Sequence, residues 1–305
     1  MFKRGCTTSA GTRVDRTMPE RPAIVRDRVN GPGIAPNIYS RERVSGTEAV
    51  RLEFAGETNV GMKRARNEDN FAIVADSNLL LVADGMGGHA SGEIASKTAV
   101  ESVREFFEAT SKDPDATWPY KLERSRGYQE NRLITAIKLA NLRLVEFSTR
   151  EPKYRGMGTT IVAVLASREG MHIAHVGDSR VYRLRDGLLE QMTEDHSLLN
   201  DYLKMRRMTE EEIRNFPHKN VIVRALGMRD TVKVDTRLET PRVGDLYLLC
   251  SDGLSGPVSD QEILRILEES GTDLAVACSR LVARANDNGG PDNITACAMR
   301  VVSLG

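Results

Sequence analysis

The residues of this 305-residue chain that are best suited to chemistry are aspartates at the ends of apolar segments. The run Leu79–Ala83 leads directly into Asp84, and the run Leu246–Cys250 leads through one serine into Asp252; a glycine follows each aspartate. Unbroken apolar runs of this length predict strands that are buried on both faces of a sheet. Each aspartate would then stand where a rigid strand meets a loop, and the glycines allow the backbone to approach whatever the carboxylate holds.

Further acidic residues stand at predicted junctions between strands and loops, namely Glu68, Asp69, Asp178 and Asp292. Carboxylates gathered in one place repel one another and stay ionised only when cations balance them. Ligation by oxygen alone selects hard ions such as Mg²⁺ or Mn²⁺ rather than zinc. Two such ions a few ångströms apart can bridge a water molecule, lower its pKa and hold the oxygens of an in-line phosphoryl displacement. A single Asp-Gly pair is an ordinary turn sequence, so the prediction depends on the whole set.

Composition and charge narrow the class of protein. Hydrophobic residues make up 40% and charged residues 28% of the chain, which is ordinary for a globular protein with a large core. The formal net charge of zero argues against a general binder of nucleic acid. Four cysteines without metal-binding spacing predict neither a zinc site nor a disulfide framework, but a reducing cytoplasm. The basic first residues are followed by no apolar core, so no signal peptide is predicted, and no apolar run approaches the roughly 18 residues that a membrane span needs.

The chain is predicted to divide at about residue 48. Residues 1–48 hold nine Lys and Arg against five Asp and Glu, contain four prolines and show little periodicity. These features predict a flexible basic tail; a docking arm for an acidic partner and an over-extended start of the reading frame are the alternatives. Residues 49–305 are predicted to form one domain.

Predicted strands and helices must position the acidic residues. Apolar stripes with helical spacing predict helices from the glycines after Asp84 to about residue 108 and through residues 133–147, and a pair at about 259–269 and 272–286. Short apolar or alternating runs predict strands at 50–54, 71–74, 79–83, 159–165, 172–176, 180–185, 231–238, 245–250 and 294–302. Helices therefore come in pairs after groups of strands, which favours antiparallel sheets covered by helix pairs.

Seven motifs of this chain occur together in one order: Arg64–Asn70, Asp84–His89, Gly156–Thr160, Gly177–Arg180, Asp195–Ser197, Ser251–Leu254 and Pro291–Asn293. The set resembles the metal-dependent protein serine/threonine phosphatases of the protein phosphatase 2C type, and specifically their bacterial branch, over about residues 50–302. This resemblance implies an α+β fold, a four-layer α/β/β/α sandwich in which two central antiparallel sheets are flanked by helix pairs. It also implies Mn²⁺ or Mg²⁺ at one end of the sandwich, as two tightly bound ions and a third, weaker one.

The resemblance assigns the metal ligands to four aspartates and one backbone carbonyl: Asp84, Asp178, Asp252, Asp292 and the carbonyl of Gly85. Asp84 would bridge two ions, and Asp178 would belong to the third, weaker position. Glu68 and Asp69 would act mostly through metal-bound water.

Substrate contacts and the general acid follow from the same resemblance. Arg64 would hold the substrate phosphate through its planar guanidinium, with a solvated surface arginine as the alternative. Members outside the bacterial branch place a histidine, the proposed general acid, where this chain has Met86. His89 is then a candidate proton donor, or alternatively a loop or helix-start residue, in which case metal-bound water would serve. Residues 196–225 would form a mobile flap whose basic residues contact the phosphorylated substrate or simply face solvent: Lys204, Arg206 and Arg207.

The sequence therefore predicts a cytoplasmic, Mn²⁺- or Mg²⁺-dependent phosphatase that hydrolyses phosphoserine and phosphothreonine in proteins. A metal-bridged hydroxide would attack phosphorus directly, opposing bacterial-type Ser/Thr kinases. Expected partners are phosphorylated kinases and their substrates, with no nucleic acid, no membrane and a monomeric state. Two alternatives share the fold: an inactive pseudo-phosphatase acting as a binding module, and a phosphatase of an anti-sigma-factor pathway. The first would usually lack a metal carboxylate and the second would usually have a degraded Arg64–Asp69 segment, whereas both features are intact here.

Overall fold

The computed structural model describes the backbone of residues 37–40 and residues 50–88, 91–113, 116–214, 216–217 and 221–304. The strands are β1 Asn37–Ser40, β2 Arg51–Asn59, β3 Asp69–Val74, β4 Leu79–Met86, β5 Gly158–Thr159, β6 Ile161–Ser167, β7 Gly170–Val176, β8 Arg180–Arg185, β9 Leu188–Gln191, β10 Asp235–Glu239, β11 Leu246–Cys250 and β12 Ile294–Ser303. The helices are α1 Ser91–Lys112, α2 Tyr128–Arg150, α3 Leu198–Met205, α4 Glu210–Arg214, α5 Asp252–Ser255, α6 Asp260–Glu269 and α7 Leu274–Asp287.

Two antiparallel sheets form the centre of the fold. The first has the strand order β1-β2-β12-β11-β8-β9 and the second has the order β10-β7-β6-β4-β3, with β5 paired to the end of β4. Residues of α1 and α2 share a buried cluster with the second sheet, and residues of α6 and α7 share another with the first. A third cluster lies between the two sheets. The predicted α+β fold, a four-layer α/β/β/α sandwich, is confirmed.

The strand β4 explains why the run before Asp84 has no polar alternation. Leu79, Leu81 and Ala83 belong to the cluster under α1 and α2, while Leu80 and Val82 belong to the cluster between the sheets. All five are fully buried, so neither face of the strand tolerates a polar residue. The strand ends later than predicted, at Met86, because β5 pairs with the segment that follows the aspartate.

Three details differ from the sequence-based expectation. The strand β1 lies inside the predicted tail and pairs with β2, while the rest of residues 1–48 lies outside the described part of the chain. The predicted strand at 231–238 is observed as β10, which begins only at Asp235. Phe147, predicted to extend the apolar stripe of α2, is 36% exposed because it stacks on Tyr154 near the helix end instead of packing under the sheet.

Local sequence signals explain where the last two long helices begin. Ser259 and Glu262 form a reciprocal capping box at the start of α6, and Asp273 accepts two backbone N–H groups at the start of α7. No helix in the described part of the chain combines the length and the apolar character needed to cross a membrane.

Candidate metal centre

Carboxylates from both sheets meet at one end of the sandwich. Asp69 in β3 stands directly opposite Asp84 in β4, and Asp252 begins α5 immediately after β11. Burial raises the pKa of Asp84 well above its ordinary value, and the negative charges of Asp69, Asp252, Asp178 and Asp292 raise it further. The structure thus brings together the four aspartates that the resemblance assigned to metal binding, and it adds Asp69 to the same cluster.

Burial also dominates the pKa of the other members of the cluster. Burial raises the pKa of Asp178 to about 7, with the neighbouring charges of Asp252 and Asp195 acting in the same direction. Burial also raises the pKa of Asp69 to about 7, although two hydroxyl groups oppose this effect. Carboxylates in such a position are neutral or require cations, because repulsion between ionised groups is weakly screened inside a protein.

Three oxygen atoms of this cluster are buried and have no hydrogen-bond partner in the described part of the chain: Asp69 Oδ1, Asp178 Oδ1 and Asp252 Oδ1. An unpartnered buried carboxylate oxygen is rare, because its desolvation is not compensated. Several such atoms in one place fit the needs of Mg²⁺ or Mn²⁺, which prefer oxygen ligands. The donor set therefore fits the predicted divalent cations.

Two hydroxyl groups to which the sequence analysis gave no role hold Asp69. Ser251 Oγ and Thr295 Oγ1 donate to Asp69 Oδ2 at 2.7 and 2.6 Å, and the Ser251 hydroxyl also accepts the backbone N–H of Thr295 at 3.0 Å. One carboxylate oxygen is thus fixed while the other stays available. The available signal was the position of Ser251 directly before Asp252.

Asn293 organises the loop that carries Glu68. Its Oδ1 accepts the backbone N–H of Glu68 at 2.8 Å, and its Nδ2 donates to the carbonyls of Val60 and Arg66 at 2.9 and 2.8 Å. The residue after Asp292 therefore ties the loop between β2 and β3 to the start of β12. Sequence reasoning found the motif but not this role, since all of these contacts are between residues more than 220 positions apart.

The glycines after the two strand-end aspartates are required by close approach of other backbone segments. A Cβ atom on Gly85 would lie 2.0 Å from the carbonyl oxygen of Gly92 in α1, and one on Gly253 would lie 1.9 Å from the carbonyl oxygen of Asn293. The helix α1 and the start of β12 can therefore pack against the site only because these side chains are absent. Whether the Gly85 carbonyl ligates a metal stays a prediction.

We expect Gly253→Ala to lower the free energy of unfolding of the metal-free chain by about 2 kcal/mol, because the added methyl group forces the Asn293 backbone away. Urea-induced unfolding followed by circular dichroism measures this change. The matched control is Gly88→Ala, since a Cβ atom there would meet nothing within 4 Å. Equal stabilities of the two variants would contradict the close-packing explanation.

Arg64 lies at this site and is paired with one of the predicted ligands. Its Nη2 donates to Asp292 Oδ2 at 2.7 Å, and its side chain remains 53% exposed. Burial raises the pKa of Glu68 and of Asp252 overall, and the positive charge of Arg64 opposes this effect in both, which places the guanidinium within electrostatic reach of both carboxylates.

The two predicted substrate contacts of the flap region, Lys204 and Arg206, form ion pairs with other carboxylates. Lys204 Nζ pairs with Glu194 at 2.9 Å and Arg206 Nη1 pairs with Glu212 at 3.2 Å, both between largely exposed side chains. Their contact with substrate stays a prediction. His89 lies outside the described residues, so its role as proton donor rests on the sequence alone.

Comparison with known proteins identifies the family of the chain. The family described as Protein phosphatase 2C matches residues 62–288. The serine/threonine protein phosphatase PstP of Mycobacterium tuberculosis is 37% identical over 251 residues, which cover 82% of this chain but only 45% of that protein. The chain therefore spans less than half the length of this relative. The serine/threonine phosphatase stp of Listeria monocytogenes is 36% identical over 245 residues, covering 78% of this chain and 91% of that protein.

Solved structures show the same similarity in three dimensions. A crystal structure of Mycobacterium tuberculosis PstP superimposes with a TM-score of 0.72 at 36% identity, covering 83% of this chain and 99% of that chain. The PstP catalytic domain in complex with two manganese ions superimposes with a TM-score of 0.68 at 37% identity, covering 83% of this chain and 99% of that chain.

Proposed function

Because the chain belongs to the protein phosphatase 2C family, we propose that it is a metal-dependent phosphatase that hydrolyses phosphoserine and phosphothreonine in proteins. The observation that carries this proposal is the cluster of buried aspartates from both sheets, three of which present an unpartnered oxygen. The names of the relatives, which are serine/threonine phosphatases, support the substrate class. Phosphorylated proteins, including bacterial Ser/Thr kinases and their substrates, are the proposed partners.

The residues proposed to hold two tightly bound Mn²⁺ or Mg²⁺ ions are Asp84, Asp252, Asp292 and the carbonyl of Gly85. Asp178 is proposed to hold a third, weaker ion, and Glu68 and Asp69 to act through bound water. When bound, such ions activate water and neutralise charge on the transferred phosphoryl group. A manganese complex of a relative supports the metal requirement.

Around the metals, the chain's own residues prepare the reaction. The two hydroxyl groups on Asp69 and the Asn293 contacts keep the acidic loop rigid, so that little reorganisation is needed when substrate binds. Arg64 is proposed to exchange its ion pair with Asp292 for a forked contact to the substrate phosphate, a geometry that a guanidinium matches. His89 is proposed as the donor of the proton to the leaving serine or threonine oxygen.

Direct attack of water on phosphorus, without a phosphorylated enzyme, is supported by the state of the cysteines. Cys250, Cys278 and Cys297 are free and buried. Burial raises the pKa of Cys250 and of Cys278 to about 12, so neither forms a thiolate at neutral pH. None of these three residues is therefore suited to act as the nucleophile of a cysteine-dependent phosphatase.

Metal removal tests the proposed function. We expect the full chain, after treatment with EDTA and dialysis, to release phosphate from a phosphothreonine peptide at no more than about 1% of the rate measured after Mn²⁺ is returned. Mg²⁺ in parallel reactions measures the metal preference, and the same peptide with unphosphorylated threonine is the blank. Full activity in EDTA would contradict the metal mechanism. Mn²⁺ binding without any hydrolysis would favour the pseudo-phosphatase alternative.

A further inference from the structure

The buried side chain of His196 stands at the centre of a partly buried polar cluster next to the loop that carries Asp178. The backbone N–H of Gly177 donates to His196 Nδ1 at 3.0 Å, and the backbone N–H of His196 donates to the Gly177 carbonyl at 2.9 Å. His196 thus binds both the N–H and the carbonyl of Gly177, the residue directly before Asp178. The His196 side chain is only 5% exposed, so these bonds are shielded from water.

The far side of the imidazole is also occupied. Since Nδ1 accepts a hydrogen bond, the proton of the neutral ring lies on Nε2, which donates to Asp235 Oδ2 at 3.0 Å. Arg224 Nη1 donates to the same carboxylate at 3.0 Å; its 2.9 Å separation from Nε2 is a close approach and not a hydrogen bond, since both atoms are donors in this tautomer. Burial and the adjacent ring of His175 lower the pKa of His196 to about 4, which keeps the ring neutral at physiological pH.

Ligand geometry alone would also permit a metal ion here. One ligand atom each of His175, His196 and Asp235 lie within 4.8 Å of one another. However, the Arg224 guanidinium is already beside Asp235, and His175 Nε2 is hydrogen-bonded to the Glu194 carbonyl at 2.8 Å. Arg224 therefore already supplies the positive charge that a cation would bring, and the ligand atoms of this cluster already have partners within the chain.

The residues that follow Asp178 are held by neighbouring parts of the same framework. Ser179 Oγ and Thr160 Oγ1 are hydrogen-bonded at 2.7 Å, and Thr160 Oγ1 accepts the backbone N–H of Asp84 at 3.0 Å. Arg180 Nε and Nη2 both bind the carboxylate of Asp195, the residue before His196, with Nη2–Oδ2 at 2.7 Å. The side chains of Ser179 and Arg180 are thus hydrogen-bonded, whereas Asp178 Oδ1 is buried and has no hydrogen-bond partner.

The backbone around His196 also joins this turn to the predicted flap. The His196 carbonyl accepts the N–H of Val223 at 2.9 Å, and the Leu198 N–H donates to the Val221 carbonyl at 2.9 Å. The two ends of the segment 196–225 are therefore paired with each other at the residue that holds Gly177. A displacement of His196 would be transmitted to both the flap and the Asp178 turn.

We infer that His196 is a positioning residue for Asp178: its Nδ1 fixes the Gly177–Asp178 turn, and its Nε2 anchors the ring to Asp235. The inference rests on the proposed function only in taking Asp178 as the ligand of the weaker metal ion. Partners of this kind around a metal ligand typically contribute 10- to 100-fold to metal affinity.

Two amide substitutions separate the two sides of the ring. Asparagine places its amide oxygen near the position of Nδ1 and can still accept the Gly177 N–H, whereas glutamine places its amide near Nε2 and cannot. Both variants lose the stacking on His175, whose ring centroid lies 4.6 Å away, so their packing defects are similar. We expect His196→Gln to weaken the lower-affinity class of Mn²⁺ binding by about 10-fold or more and His196→Asn by less than about 3-fold.

Isothermal titration of the full chain with Mn²⁺ alone measures both classes of binding, with Asp178→Asn as the reference that lacks the proposed ligand. In the Asp178→Asn background, His196→Gln should have no further effect on Mn²⁺ binding, since it acts through Asp178. Equal weakening by His196→Gln and His196→Asn, or an added effect in that background, would overturn the inference. His172→Gln is the control for a buried histidine, because His172 bonds Ser167 at 2.9 Å instead.

If His196→Gln does not fold, as judged by thermal melting in EDTA, the half-exposed Asp235 provides a second test. Asp235→Ala removes the anchor of the ring and should weaken the same class of Mn²⁺ binding by at least about 3-fold, whereas Arg237→Ala on the same strand should not. Unchanged binding in a folded Asp235→Ala would overturn the inference. Because the readout is Mn²⁺ binding, it is judged separately from hydrolysis: a chain that binds metal without turnover would refute the proposed function alone.

Discussion

Asp252→Asn is expected to reduce kcat for a phosphothreonine peptide by about 1000-fold or more at saturating Mn²⁺. Asp252 Oδ1 is buried without a hydrogen-bond partner, and the residue begins α5 at the meeting point of the two sheets. Asparagine has nearly the same shape but no charge, so the fold should persist while a metal ligand and part of the balancing negative charge are lost. Removal of a charge-stabilising group from a preorganised site typically lowers kcat by factors of this order.

Steady-state phosphate release and Mn²⁺ titration on the same preparations measure the two consequences of this substitution. The wild-type chain should bind two Mn²⁺ ions tightly, and the variant should bind fewer. Asp186→Asn is the matched control, since Asp186 lies in the exposed turn between β8 and β9 and pairs only at the surface with Arg242. If Asp252→Asn retained its metal and its turnover, the assignment of this carboxylate to the metal pair would be wrong.

Asp178→Asn is expected to stabilise the metal-free chain, and to do so more strongly as pH rises from 5 to 8. Burial raises the pKa of Asp178 from 3.8 to about 7 in the folded chain. Because the pKa of Asp178 is higher in the folded than in the unfolded chain, its protonated carboxyl group favours folding relative to the ionised one. This contribution to the free energy of unfolding is complete below about pH 4 and is lost as pH rises through about 7. We estimate a stabilisation by Asp178→Asn of roughly 1–2 kcal/mol at pH 5 and about 4 kcal/mol at pH 8.

The wild-type chain and Asp178→Asn must be compared with each other at each pH, because three buried histidines give stability the opposite dependence on pH. Burial lowers the pKa of His172, His175 and His196, so the stability that they contribute is lost as pH falls below about 6.5. Both proteins share these histidines, so the difference between the proteins reports the Asp178 charge together with its effect on Asp84, which acts in the same direction. Urea-induced unfolding in EDTA at pH 5, 6, 7 and 8 measures the difference. A difference that is constant or shrinks with pH would show that Asp178 is not held in a desolvated, acid-rich position.

Repulsion among the buried carboxylates explains why the site both destabilises the metal-free chain and binds metal. Carboxylate repulsion is relieved by protonation, by substitution or by cations, so the same cluster that destabilises the empty fold provides the affinity for metal. Asp84 shows this most strongly, because the charges of four other aspartates raise its pKa beyond the effect of burial. Stability lost at the site is therefore expected to be regained when Mn²⁺ binds.

Much of the fold was determined by the sequence alone. The unbroken apolar run before Asp84 could only be a strand covered on both sides, and the structure places its alternate residues in the cores above and below the sheet. Helices in pairs after strand groups required antiparallel sheets, which are observed. The motifs were also sufficient to name the aspartates that meet at the end of the sandwich, because each aspartate stands in a short motif at a predicted junction between a strand and a loop.

Tertiary structure decided what those residues touch. The hydrogen bonds from Ser251 and Thr295 to Asp69 and from the Glu68 backbone to Asn293 join segments more than 180 positions apart, so no local pattern could predict them. No local pattern could predict the end of β4 either, since it depends on pairing with β5. Nor could it predict the two contacts of the His196 ring, whose Nδ1 binds the Gly177 N–H and whose Nε2 binds Asp235 in β10. Residue types therefore determined which groups take part in the site, and long-range packing determined their partners, burial and charge state.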